Sequence, residues 1–324
     1  MYGCTALRVI KQTLPSGWLL WAALLWALLP APAAAQAVQP EEVAPGVWMV
    51  QGASALGTPA NRNFISNAAF VVTPGGVLVV DALGSPALAQ ELVAAIRRIT
   101  PAPIRHVVVT HYHADHIYGL QVFKDLGAEV IAHRDGRSYL QSETAALRLQ
   151  ASREELAPWI DAKTRLVAAD RWIAETTRLA VGGVEVVLQP AGPAHTAEDL
   201  VVFLPQQRVL IAGDLVFRGR IPFVGQADSG RWIEALDRLI GFDATLIVPG
   251  HGPASRSASA DLRLTRDYLL HLRQTMGEAA HNLEPFEEAY GKADWSRFEH
   301  LPLFRAANRI NAYNTYLLME RSGR

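Results

Sequence analysis

Four potential metal ligands fall within six residues at His111-Tyr112-His113-Ala114-Asp115-His116, directly after the apolar run Val107-Val108-Val109-Thr110. Three more candidates follow at wide spacing: His195 in Gly192-Pro193-Ala194-His195, Asp214 in Gly213-Asp214-Leu215, and His251 in Gly250-His251-Gly252. Neutral imidazoles and carboxylates suit a borderline divalent cation such as zinc, and three protein ligands per ion leave a position open for water. The cluster at 111–116 therefore reads as half of a two-metal site. Two ions roughly 3.5–4 Å apart share a water, lower its pKa toward neutrality and polarise a carbonyl or ester oxygen. Such chemistry needs no protein nucleophile. The chain accordingly has no Gly-x-Ser-x-Gly elbow, and its single cysteine is Cys4.

Each candidate has the same local setting, an apolar β-branched run entering a turn of small residues. A strand that ends in this way delivers ligands into solvent, where those of several strands can converge on one place. Five of the ten histidines belong to the pattern. His106, His271, His281 and His300 read as surface or structural residues. His133, at the end of the strand-like Val130-Ile131-Ala132, is a candidate for a place behind the site.

The order H-x-H-x-D-H, then His195, Asp214 and Gly250-His251-Gly252, resembles the metallo-β-lactamase superfamily of hydrolases over residues 46 to 252. The resemblance implies two zinc ions, or another divalent metal. The first would be held by His111, His113 and His195, the second by Asp115, His116 and His251, with Asp214 bridging. It implies hydrolysis by metal-bound hydroxide, with Asp115 both a ligand and the catalytic group that accepts or orients the water proton. Its fold is α/β, a four-layer αβ/βα sandwich.

With 324 residues, half of them hydrophobic, the chain can bury a substantial core. The formal net charge of −1 gives no basic footprint for nucleic acid, which weighs against the nucleases that share such motifs. Residues 1–35 read as a secretory signal peptide. Arg8 and Lys11 precede an apolar stretch, and Ala33-Ala34-Ala35 offers small residues for cleavage. The stretch is shorter than the roughly 20 residues of a membrane span, so no stable anchor is expected after cleavage before Gln36. A periplasmic or secreted protein follows, and loss of Cys4 leaves its mature form without a thiol.

Residues 36–256 are expected to form the catalytic domain. Residues 36–45 read as a polar linker, and strands are expected over 46–51, 64–72 and 77–80. A helix capped by Ser85 with Pro86 at its first position should cover 85–99. Another should run from 115 to about 126, before a strand over 129–132. Residues 134–168 read as two helices interrupted by Pro158. Strands over 178–181, 184–188, 200–204 and 208–212, a helix over 231–240 and a strand over 245–248 repeat the β/α order. Two similar halves packed face to face are therefore expected. Residues 257–324 form a helical extension, with apolar stripes at Leu262, Leu269, Leu272 and Met276 and at Phe304, Ile310, Tyr313 and Leu317.

The substrate is expected to be a small molecule bearing a carboxylic ester, thioester or lactone. An aspartate at 214 resembles glyoxalase II, lactonases and related esterases, whereas the familiar zinc β-lactamases carry cysteine or serine there. The cysteine type has a lysine three residues on, where this chain has Phe217. A periplasmic β-lactamase is the first alternative reading. A second is a non-hydrolytic partner in a periplasmic redox relay, from a weaker similarity to metallohydrolases of sulfur-oxidation and quinoprotein systems. Ala194, often glycine in lactonases and thioesterases, weighs slightly against those two. Asn67, Tyr112, Tyr118, Arg218, Arg220 and Phe223, adjacent to the motifs, are the candidate substrate contacts.

Overall fold

Among the described residues twelve strands form two sheets, and each sheet joins antiparallel hairpins to a parallel portion whose C-terminal ends carry the candidate ligand motifs. The computed structural model describes residues 1, 37–225 and 227–322. The leader expected over residues 1–35 lies outside the described residues except for Met1. Residues Gln36–Arg324 form one compact unit. Among the described residues no helix is long and apolar enough to cross a membrane.

The first sheet has the order β1 (Glu41–Ala44), β2 (Val47–Val50), β3 (Ala68–Thr73), β4 (Gly76–Val80), β5 (Ile104–Val108), β6 (Glu129–His133) and β7 (Arg171–Ile173). Pairing is antiparallel from β1 to β4 and parallel from β4 to β7. The second sheet has the order β12 (Leu246–His251), β11 (Val209–Phe217), β10 (Leu200–Leu204), β9 (Val184–Pro190) and β8 (Thr177–Val181). Only β11 and β12 run parallel.

Three apolar layers follow. Val47, Met49, Leu78, Val80 and Val108 of the first sheet meet Val186, Leu188, Val202, Val209 and Ile211 of the second in a core between the sheets. The outer face of the first sheet packs on α1 (Pro86–Ile99), through Leu88, Leu92 and Ile96, and on α3 (Leu120–Asp125), through Phe123. The outer face of the second packs on α6 (Ser229–Ile240) and α7 (Ala258–His281), through Trp232, Leu236, Leu262, Leu269 and Leu272. The protein is thus a four-layer αβ/βα sandwich. The helical tail, α7 with α8 (Phe286–Lys292) and α9 (Phe304–Ser322), contributes to the fourth layer. Ser85 caps α1, its Oγ accepting from Leu88 N at 3.4 Å.

Some boundaries differ from those expected. The polar segment before Gly46 contains β1, an edge strand paired with β2. The strand expected over 64–72 begins at Ala68, because Asn63 sits at φ 58° and Asn67 N donates to Gly250 O in the other half of the molecule. The helix expected over 115–126 is two pieces, α2 (Ala114–Ile117) and α3. It breaks at Gly119, where a Cβ would lie 2.0 Å from Ala82 O. Residues 134–168 hold α4 (Gly136–Leu140) and α5 (Glu143–Glu155), and the break falls at Ser142 rather than at Pro158, because Ser142 Oγ caps α5. β7 occupies a segment with no expected strand.

Candidate metal centre

The parallel strand pairs bring the ligands together, as open αβ sheets do at the carboxyl ends of their strands. In the first sheet, Asp81 follows β4 and Thr110-His111 follow β5. Asp81 N donates to Val108 O at 2.9 Å, and Thr110 N donates to Asp81 Oδ1 at 2.8 Å. In the second sheet, β11 carries Asp214 alongside the end of β12, which carries His251. Gly250 is required there, since a Cβ would lie 2.0 Å from Asp214 Oδ1. His195 lies in the turn between β9 and β10, and Leu200 N donates to Thr110 O at 2.9 Å, tying that turn to the first motif.

Two groups of donor atoms result, each with its atoms within 4.8 Å of one another: His111, His113, His195 and Asp214, and Asp115, His116 and His251. In the first, His113 Nδ1 lies 3.1 Å from His111 Nε2 and 3.0 Å from His195 Nε2. In the second, Asp115 Oδ2 lies 3.3 Å from His251 Nε2 and 3.7 Å from His116 Nε2. Asp214 faces both groups. Its Oδ1 is 3.1 Å from His116 Nε2, while its Oδ2 is 3.3 Å from His251 Nε2, 3.5 Å from His195 Nε2 and 3.8 Å from His111 Nε2.

Outer partners fix which nitrogen is free on three of the rings, His111, His116 and His251. Thr110 Oγ1 donates its one proton to Asp81 Oδ2 at 2.8 Å, so at 3.0 Å it can only accept from His111 Nδ1, which leaves Nε2 bare. His116 Nδ1 donates to Asp81 Oδ2 at 2.8 Å, and His251 Nδ1 donates to Ile65 O at 2.7 Å. Arg220 Nη1 is 3.2 Å from that same His251 Nδ1. A protonated Nδ1 cannot also accept, so the shorter bond to Ile65 decides the tautomer.

A divalent cation fits this donor set. His113 Nδ1 carries at most one proton or one in-plane lone pair, so it cannot satisfy both nitrogen neighbours, and at least one of those contacts sets like groups against each other unless a cation lies between them. His116 Nε2 and Asp214 Oδ1 are buried and make no hydrogen bond. Burial pushes His195 down to about 3 and holds His111 well below the usual imidazole range, helped by the neighbouring rings, so both are neutral as ligands must be. Burial also lowers His116 and His251, but the carboxylates of Asp214 and Asp115 outweigh it and raise both. Burial would raise Asp214, yet His251 and His116 hold it well below the usual carboxylate range. The carboxylates thus attract positive charge that protons supply when no cation does.

Aromatic rings seal the floor. Phe217 stacks on His251 with centroids 5.0 Å apart, and Trp232 meets His195 edge-on at 5.0 Å. Above lies a cleft of about 280 Å³, whose lining includes Leu56, Ile65, Arg148, Leu156, Phe217, Arg220 and Phe223 beside the ligands.

Among the expected substrate contacts, Arg220 and Phe223 line the cleft. Arg218 is instead engaged by Asp261, at 3.1 Å from Nε. Tyr112 is buried beneath the motif against Trp172, and Tyr118 bonds Ser152 Oγ at 3.2 Å; neither lines the cleft. Asn67 clamps the turn that carries His251, Nδ2 donating to Pro249 O at 2.8 Å and Gly252 O at 2.7 Å. His133 lies beside Asp135, its Nδ1 3.7 Å from Oδ2, and does not line the cleft. The outer partner that sequence reasoning missed is Asp81, although it shares the signature of the ligands, following the apolar β4 and preceding Ala82-Leu83-Gly84.

A family model described as the metallo-beta-lactamase superfamily matches residues 61–251. A linear primary-alkylsulfatase from a Pseudomonas species is 25% identical over 255 residues, 67% of this chain and 48% of that protein. The chain therefore spans about half the length of that relative. The solved metallo-beta-lactamase from Pontibacter korlensis superposes with a TM-score of 0.56 at 25% identity, covering 72% of this chain and 98% of that one. A stereoselective inverting sec-alkylsulfatase from a Pseudomonas species superposes with a TM-score of 0.66 at 19% identity, over 87% of this chain and 50% of the other. That coverage exceeds what residues 36–256 contain, so the likeness in fold reaches into the helical tail. With the motif order and the layered fold, the match over residues 61–251 places this chain in the metallo-beta-lactamase superfamily.

Proposed function

We propose that the protein is an exported binuclear zinc hydrolase cleaving a carboxylic ester, thioester or lactone. The observation that carries this reading is Asp214, whose carboxylate lies 3.1 and 3.3 Å from His116 and His251 of the second group and 3.5 and 3.8 Å from His195 and His111 of the first. His111, His113 and His195 would hold one cation, Asp115, His116 and His251 the other, with Asp214 shared. When bound, two such cations supply Lewis acidity toward an ester oxygen and an acidified water.

The chain's own residues supply the rest. Asp115 lines the cleft, and its carboxylate stays ionised because His116 and His251 outweigh its burial. Such a weak base orients a water by accepting its hydrogen bond rather than keeping its proton. Leu56, Ile65, Leu156 and Phe223 offer an apolar wall for the substrate body. Export is supported by the Arg8 and Lys11 charges, the apolar stretch and Ala33-Ala34-Ala35. N-terminal sequencing of protein recovered outside the cytoplasm should begin at Gln36; recovery of the full chain only from the cytoplasm would overturn that part.

A second reading, hydrolysis of a sulfate ester, is favoured by Arg220 and by the sequence likeness to the alkylsulfatase. Arg220 is 4% exposed, lines the cleft, and is paired with no carboxylate among the described residues. A buried guanidinium of this kind suits an anionic substrate group. The test is a panel of p-nitrophenyl acetate and octanoate, a thioester, a lactone, an alkyl sulfate and a cephalosporin, run with zinc-loaded and chelated protein. Chelator-sensitive turnover of an ester, thioester or lactone supports the first reading. Turnover of the sulfate alone replaces it with the second, and turnover of the cephalosporin alone replaces both with a β-lactamase.

A further inference from the structure

The described residues between β11 and α6 have no regular secondary structure, yet they present Arg220 and Phe223 to the cleft. Its backbone polar groups must still find partners. Several of them find those partners in the helical tail. Asn311 of α9 is fully buried; its Nδ2 donates to Pro222 O at 2.7 Å, and its Oδ1 accepts from Val224 N at 2.9 Å. The two bonds bracket Phe223. Asn314 Nδ2 donates to Gly225 O at 2.6 Å, and Ile221 N donates to Pro302 O at 3.0 Å. Asn311 is itself held by Tyr268 of α7, whose hydroxyl accepts from Nδ2 at 2.9 Å and donates to Asn308 Oδ1 at 2.8 Å.

We infer that the helical tail sets the substrate selectivity of the cleft, with Asn311 as the positioning residue that fixes Phe223 against the apolar part of the substrate. Phe223 is 42% exposed and Leu56, which also lines the cleft, 51% exposed, so a substrate chain lying over the metal centre has an apolar ring and an apolar side chain available to cover it. An unfixed Phe223 would lose rotamer and backbone freedom on binding such a chain, which weakens binding without altering the reacting centre. Asn308 provides the control. It is equally buried in the same network, but its amide bonds to Tyr268 and Tyr290 rather than to the 220–225 segment.

The inference rests on the hydrolase reading, and its experiment separates the two. Asn311→Ala, Asn308→Ala, Phe223→Ala and the Asn311→Ala/Phe223→Ala double variant are compared as zinc-loaded protein. Hydrolysis of p-nitrophenyl octanoate and acetate is measured, with hydrogen exchange of the Ile221 and Val224 amides and equilibrium binding of octanoate and acetate anions. For Asn311→Ala, KM for the octanoate ester should rise about tenfold, with kcat and the acetate ester little changed. Its two amides should exchange faster than in Asn308→Ala. The effects of Asn311→Ala and Phe223→Ala should fail to add. Additive effects, equal losses on both esters, or amide exchange matching that of Asn308→Ala would overturn the inference. If the parent protein cleaves neither p-nitrophenyl ester, the carboxylic-ester part of the hydrolase reading fails. The inference is then decided by exchange and anion binding, and it falls if Asn311→Ala leaves the preference for octanoate intact.

Discussion

Asp81 Oδ2 lies 2.8 Å from His116 Nδ1 and also accepts from Thr110 Oγ1, so one carboxylate orients the His116 ring directly and the His111 ring through a hydroxyl. It stands behind both donor groups without belonging to either. Replacing Asp81 by Ala should therefore weaken zinc binding at both positions, by about 10- to 100-fold as for other outer partners of ligating histidines. Competition with a chromophoric chelator measures it, and an unchanged affinity would remove Asp81 from this role.

Asp214 is the residue shared by the two groups. Asp214→Ala should leave fewer than two zinc ions per chain after dialysis, with hydrolysis reduced by about 10²-fold or more. Elemental analysis and initial rates on one sample decide the matter. Two retained ions at the parental rate would exclude Asp214 from the centre.

Arg220→Ala tests the anion subsite. Loss of a charge-assisted hydrogen bond of about 1.5–3 kcal/mol corresponds to roughly a ten- to hundredfold rise in KM for substrates with an anionic group. Neutral esters should be nearly unaffected. An equal rise for both classes would show that Arg220 supports the His251 region instead.

The metal-free centre also fixes a pH dependence. His116 and His251 are raised by Asp214 and Asp115 against the effect of burial, so both stay protonated above the ordinary imidazole range and must shed a proton to bind metal. His111, His113 and His195 are lowered chiefly by burial and have none to shed. Zinc affinity at the second position should thus increase with pH, by about tenfold per unit for each proton displaced, and level off above the raised values. Isothermal titration at several pH values reads the slope directly. A flat or inverted profile would contradict the assignment.

The candidate ligands were legible because each stands where an apolar run meets small residues, a context that survives without knowledge of the other half, although Asp214 lies within its strand rather than after it, β11 continuing to Phe217. Asp81 carries a similar signature but stands alone, with no histidine beside it to mark it as part of a site. The position of Tyr112 between two ligands also carried information. Neighbours along extended backbone point to opposite sides, so a tyrosine between His111 and His113 faces the core. The cleft walls were less legible, since the backbone that carries Phe223 is fixed by Asn311 across 87 and 89 residues, and no local pattern encodes such a bond. Arg148 of α5 was equally silent, one of several charges in a helix whose polar and apolar residues do not separate into faces.

The most direct measurement is a stepwise zinc titration of the metal-free protein, read as the rate of hydrolysis of its best substrate. Turnover should be negligible at the start, rise to a limit at about two equivalents per chain, and be reversed by a chelator. Turnover without metal, or a full rate reached at one equivalent, would contradict a two-metal hydrolase.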